Sequence, residues 1–188
     1  KNVFRFYAET LQVESLEHRA LQANLRLALE RQELRLHYQL RRSISNGSYT
    51  GVEALLRWQH PELGLLQPGL FLPLAEKTGL IIPIGYWVLE TACRQSVEWQ
   101  KAGVSMSMSV NLSVREFYDE DLLRTLGDVL QNTGMNPNQL NLEISESLLM
   151  RDFDSALRIL KAITDLGIHI SLHNFGADRC IVPIQLQD

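Results

Sequence analysis

Residues 49–58, Tyr49-Thr-Gly-Val-Glu-Ala-Leu-Leu-Arg-Trp58, open on a turn and run on as an apolar strand that carries one acid and one base, Glu53 and Arg57. Side chains alternate along a strand, so Glu53, Leu55 and Arg57 share one face while Ala54 and Leu56 take the other. An unpaired charge is costly to bury, so charges inside a core strand meet a partner charge, a metal, or water at the strand's end. Two readings stand at this point: a Glu53–Arg57 pair that holds an edge strand, or the mouth of a site.

Upstream, residues 34–39 alternate strictly and residues 45–48, Ser-Asn-Gly-Ser, are turn chemistry, so these two strands are expected to form an antiparallel hairpin. Residues 9–32 are rich in helix formers, with Leu21, Leu25, Ala28 and Leu29 as an apolar stripe, and predict a long amphipathic linker helix. Residues 2–7 alternate like a short strand with no hairpin partner near them. Downstream, His60-Pro61 and Gly64 begin a loop, followed by helices over 68–79 and 84–102. Then come a strand over 105–112, a helix over 113–131, a loop over 132–137, a strand over 140–145, a helix over 154–166 and a strand over 168–173. Such alternation predicts an α/β fold with a parallel sheet, either a (β/α) barrel or an open doubly wound sheet.

The length of 188 residues suits one domain with a real core, or a domain plus a connecting helix. A net charge of -4 argues against DNA as a partner, since a nucleic-acid surface needs a basic face. Cys93 and Cys180 stand alone, without metal-like spacing or a disulfide framework, which fits a reducing cytoplasm. No apolar run reaches the roughly 18 residues of a membrane span, so no membrane contact is expected from this segment.

Glu53, Asn111 and Glu143 each lie near the C-terminal end of a different predicted strand, and in a parallel barrel those ends converge on one mouth. Two carboxylates and an amide oxygen are hard ligands suited to Mg²⁺ or Mn²⁺, and such an ion activates water and neutralises phosphate oxygens. The structural alternatives are a helix cap for Asn111 and a salt bridge for Glu143.

Glu53-Ala-Leu55 with Arg57 and Trp58, His60-Pro61, Pro73-Leu-Ala-Glu-Lys-Thr-Gly79, Ser109-Val-Asn-Leu-Ser113 and Glu143-Ile-Ser-Glu146 together resemble the EAL family of cyclic di-GMP phosphodiesterases, from about Leu21 to Phe175. The resemblance implies an EAL-type (β/α) TIM-like barrel whose first strand is antiparallel to the second, with only the first five strands or so present. It implies metal-ligand roles for Glu53, Asn111 and Glu143, a phosphate contact for Arg57, pocket-lining positions for Gln39 and Leu55, and a loop-anchoring role for Glu146. Residues 1–20 are similar to the tail of a GGDEF domain with its linker, leaving 21–188 as a partial EAL domain.

The pattern breaks where members that cleave carry Asp-Asp-Phe-Gly, for this chain has His173-Asn174-Phe175-Gly176. Up to two negative charges are lost from a site that would hold divalent ions and acidify a bridging water. Beyond Gly176 the sequence leaves the family pattern and stops before the strands that carry the family's catalytic Lys and further ligands. A five-stranded sheet exposes an edge, with Ile168, Ile170 and Leu172 as an apolar face, so self-association or a partner covering that edge is expected, the more so as Pro183 disfavours the tail as a regular strand. Three functions stay open. The first is an EAL-family cyclic di-GMP signalling domain, catalytically impaired and at most a nucleotide binder or interaction module. The second is an active Mg²⁺-dependent phosphodiesterase yielding linear pGpG as part of a complete chain, and the third a scaffold that binds no nucleotide.

Overall fold

The computed structural model describes residues 21–173 except Ile44 and Asn46. These fall into two compact units, the first built from residues 21–37 and 56–84 and the second from 38–55 and 85–173. Among the described residues no helix is long and apolar enough to cross a membrane. The expected GGDEF tail over 1–20, the upstream part of the linker helix and the divergent tail with Pro183 lie outside the described residues.

Strands β1 (Leu34–Arg42), β2 (Tyr49–His60), β3 (Gly64–Leu66), β4 (Ser107–Asn111), β5 (Leu140–Ser145) and β6 (His169–His173) make one sheet in the order β1-β2-β4-β5-β6, with β3 on β2. Only residues 43–48 join β1 to β2, and the Ser43 amide donates to the Ser48 carbonyl at 2.8 Å. So short a connection between neighbouring strands makes them antiparallel, as the turn chemistry predicts. From β2 onward the main path is parallel, β2 to β4 to β5 to β6. This is the α/β sheet expected for the start of an EAL-type barrel. It places β2 between β1 and β4, so the edge-strand reading of β2 is corrected: its near-continuous apolar face belongs to an interior strand.

The first unit contains helical residues 21–28 (α1), the end of β2, β3, α2 (Pro68–Thr78) and the first turn of α3 (Ile81–Lys101). Leu25 and Ala28 of the predicted stripe are buried there with Leu34, Trp58, Phe71, Ala75, Ile81 and Ile84. The Trp58 ring meets Phe71 edge-on at 5.6 Å between centroids, and its Nε1 donates to Glu33 Oε2 at 2.9 Å. His60, also buried, accepts at Nδ1 from the amides of Glu62 and Leu63, both at 3.2 Å. These bonds hold a hairpin in which Trp58 pairs with Leu66 and His60 with Gly64, where a loop alone is expected from His60-Pro61. Gly64 takes a φ of 72°, a conformation that costs a glycine little, and this lets the chain reverse at once.

The second unit contains the parallel ladder and the helices that link it: most of α3, then α4 (Val114–Phe117), α5 (Leu122–Thr133), α6 (Glu146–Leu149) and α7 (Phe153–Asp165). Leu122, Leu126 and Val129 of α5 and Ala156 and Ile163 of α7 are buried at helical spacing. The single helix expected over 113–131 is broken. Asp119 Oδ1 accepts from the Asp121 amide at 3.0 Å, an Asx-type turn that competes with the helical ladder. Ser113 caps α4 in a reciprocal box with Glu116, so the cap is Ser113 and the helix-cap alternative for Asn111 is set aside. Cys93 is fully buried on α3, and burial pushes its thiol up to about 12; it is a packing residue, as the isolated spacing implies. Burial likewise pushes the Tyr38 hydroxyl up to about 12, with Cys93 a smaller cause, and the ring meets Trp99 edge-on at 4.8 Å.

Candidate functional site

Register fixes which residues share a face of the ladder. Glu53 pairs with Ser109, Ser109 with Asn141, and Asn111 with Glu143, which in turn pairs with Ser171. Register partners in a parallel sheet point the same way, as do residues two apart, so these six form one polar face. The opposite face carries Val52, Ala54, Met108, Val110, Leu140, Leu142 and Ile144, all buried. One side of each strand therefore builds the core and the other builds the candidate site.

The three predicted ligand positions do come together within this unit. Asn111 Nδ2 donates to Glu53 Oε1 at 2.8 Å, and Glu143 is the backbone register partner of Asn111. Glu143 is 5 % exposed, which makes a charge partner necessary, and that partner is Arg41 of β1. Arg41 Nη1 donates to Glu143 Oε1 and also to Ser109 Oγ at 2.5 Å. Asn141 Nδ2 extends the network, donating to Ser109 Oγ at 3.1 Å and Ser171 Oγ at 2.8 Å. The salt-bridge alternative for Glu143 is thus realised, through a residue that sequence reasoning left out. A signal for it exists: Arg41 lies two residues beyond Gln39, on the same face of β1.

The other predicted positions are placed as follows. Gln39 is exposed on β1 and Leu55 is half-buried on β2. Arg57, in the first unit, donates from Nη1 to the Leu56 carbonyl at 2.7 Å. Glu146 is buried in the first turn of α6, directly after β5. His173 ends β6; its side chain and Asn174 lie outside the described residues.

The oxygen set of Glu53, Asn111 and Glu143 has the chemistry a hard divalent cation wants. Its arrangement does not fit one, because Asn111 turns an N–H toward Glu53 and a guanidinium stands on Glu143. Among the described residues no group of three or more His, Cys, Asp or Glu is gathered to hold a metal.

Comparison with known proteins locates the fold. The EAL domain family model matches residues 22–183. The chain is 44% identical over 177 residues to the bifunctional diguanylate cyclase/cyclic di-GMP phosphodiesterase MucR of Pseudomonas aeruginosa, covering 94% of this chain and 26% of that protein. It is 36% identical over 160 residues to the cyclic di-GMP phosphodiesterase PdeR of Escherichia coli, covering 85% of this chain and 24% of PdeR. Both alignments span only about a quarter of the relative's length. Among solved structures, the PaMucR phosphodiesterase in its c-di-GMP complex superposes with a TM-score of 0.83 at 46% identity, over 86% of this chain and 66% of that one. The FimX EAL domain of Xanthomonas citri in complex with c-diGMP superposes with a TM-score of 0.76 at 25% identity, over 86% and 62%. With the parallel ladder, its antiparallel first strand and a family match across most of its length, the chain belongs to the EAL domain family.

Proposed function

We propose that this chain is a cyclic di-GMP signalling domain that is impaired in hydrolysis and at most binds the nucleotide or docks a partner. The observation that carries the reading is the ion pair on Glu143: the buried carboxylate at a ligand position of the family is satisfied by a protein cation. His173-Asn174 in place of the Asp-Asp pair adds support, since both substitutions remove negative charge from the same chemistry. Nucleotide recognition is supported by relatives whose names and bound states refer to cyclic di-GMP. In this reading Arg57 holds a ligand phosphate, Gln39 and Leu55 line the pocket, and Glu146 anchors the loop after β6. Glu53, Asn111 and Glu143 are the positions that would hold Mg²⁺ or Mn²⁺, and His173 and Asn174 are the degenerate ones. Residues 1–20 are the end of a GGDEF domain and its linker, 21–188 form a partial EAL domain, and the setting is the bacterial cytoplasm.

A second reading, hydrolysis by a complete chain, is favoured by the 44% identity to a protein named as a phosphodiesterase. Calorimetry with cyclic di-GMP, with and without Mg²⁺, followed by chromatography for linear pGpG, separates the two. The expected result is weak binding and no product, and robust turnover by the unmodified chain would refute the impairment. Arg57→Ala is expected to weaken binding in metal-free buffer by about 1.5–3 kcal/mol, the worth of a hydrogen bond to a charged group. Unchanged affinity in that variant removes Arg57 from the site.

The edge of β6 belongs to the same proposal. Among the described residues β6 ends the sheet order and Leu172 on it is 38% exposed, and a strand edge with apolar side chains invites pairing with a second copy or a partner. Sedimentation equilibrium at micromolar concentration is expected to show a dimer or larger assembly. A monomer with a cooperative melt would end that part of the reading.

A further inference from the structure

We propose that Arg41 is a tethered counter-ion that competes with divalent cations for Glu143, so that metal binding in this domain is held back by the chain's own guanidinium. The inference rests on the reading above in one respect, that Glu143 is a position where a cation would bind. Its geometry is independent of the nucleotide. Arg41 comes from β1, Ser109 from β4 and Glu143 from β5, and one nitrogen, Nη1, serves both acceptors. The guanidinium is therefore fixed at two points from two strands and is not a loose surface charge. Asn141 donates to the same Ser109 hydroxyl at 3.1 Å, so that oxygen accepts from both side chains.

Two physical consequences follow. A divalent ion approaching Glu143 must displace a charge-assisted hydrogen bond and also meet a fixed positive charge. An anion that draws the guanidinium onto itself takes that positive charge off Glu143, so anion and metal favour each other's binding, and by linkage the effect is equal in both directions.

The test is Mn²⁺ binding to the 188-residue chain, read from the free-ion electron paramagnetic resonance signal. It compares wild type with Arg41→Met, Arg41→Lys, Glu143→Gln and the Arg41→Met/Glu143→Gln double variant. Arg41→Met is expected to tighten Mn²⁺ binding about tenfold, the lower end of what losing a charged hydrogen bond allows, because Arg41 is itself partly exposed. Arg41→Lys keeps the charge and is expected to stay near wild type. The double variant is expected to lose the gain. Arg41→Gln is neutral and still able to donate to Ser109; it is expected to tighten binding like Arg41→Met and replaces it if circular dichroism shows Arg41→Met unfolded. If neither neutral variant tightens binding while Glu143→Gln weakens it, the counter-ion proposal is wrong and the metal reading of Glu143 stands. If Glu143→Gln changes nothing in either background, both fall together.

Discussion

Trp58→Ala is expected to destabilise the protein by about 3–5 kcal/mol, the range for removing a large aromatic from a closed core. The indole has 0% exposure, so the whole side chain is lost from the interior. It meets Phe71 and His60 edge-on at 5.6 and 5.0 Å between centroids, an arrangement worth a further fraction of a kcal/mol to somewhat more for each ring pair. Its Nε1 also satisfies Glu33, which bonds β2 a second time through its own carbonyl to the Gln59 amide at 2.8 Å. Trp58→Phe keeps an aromatic ring and removes the donor, so it is expected to cost about 1–2 kcal/mol. A domain of this size is stable by only about 5–15 kcal/mol, so the alanine variant removes a large share of the margin. Urea denaturation followed by far-ultraviolet circular dichroism measures both. An alanine variant within 1 kcal/mol of wild type would mean that the cavity collapses freely, contrary to the packing described.

Gly51→Val comes next in size, with about 3 kcal/mol of destabilisation expected from overpacking. Gly51 is the register partner of Ser107, and a Cβ there would lie 2.1 Å from Ser107 Oγ and 2.6 Å from the Ser107 carbonyl oxygen. The hydroxyl can rotate, at the loss of its 2.9 Å bond to the Thr50 carbonyl, but the carbonyl oxygen is backbone and cannot. β2 and β4 must separate, and they are the strands that carry Glu53, Ser109 and Asn111. Amide hydrogen exchange across residues 51–54 and 107–110 is therefore expected to accelerate along with the loss of stability. Protection unchanged in both strands would contradict the steric argument.

How far the sequence discloses this protein depends on the range of the interactions concerned. The alternation in 49–58 and the turn chemistry of 45–48 report local geometry, and both β2 and the hairpin appear as those patterns predict. A helix is likewise legible over 113–131, yet the break within it turns on one short side-chain bond, the Asp121 amide donating to Asp119 Oδ1, which periodicity does not see. Strand β3 is three residues long, too short for alternation to register, and α6 has four. At the site, parity alone places Glu53, Asn111 and Glu143 on a common face once the strands are parallel and in register. Arg41 is different. Parity with Gln39 separates its face from that of Arg42, which turns back to the Gly47 carbonyl, but its partners are 68 and 102 residues away and no local pattern names them.

The capping box of α4 exists because α3 has no side chain at Gly85. A Cβ there would stand 1.6 Å from Glu116 Oε1, while that carboxylate's other oxygen receives the Ser113 amide at 2.9 Å. The two positions are therefore linked in the order in which they can change. Enlarging residue 85 first evicts a carboxylate from a nearly closed site, whereas shortening Glu116 first costs about 1 kcal/mol of capping and leaves room that a later Gly85→Ala can fill. The same pair of substitutions is thus accessible along one path and obstructed along the other. That makes Gly85 and Glu116 a case of sign epistasis, in which the history of the sequence matters to what it can become.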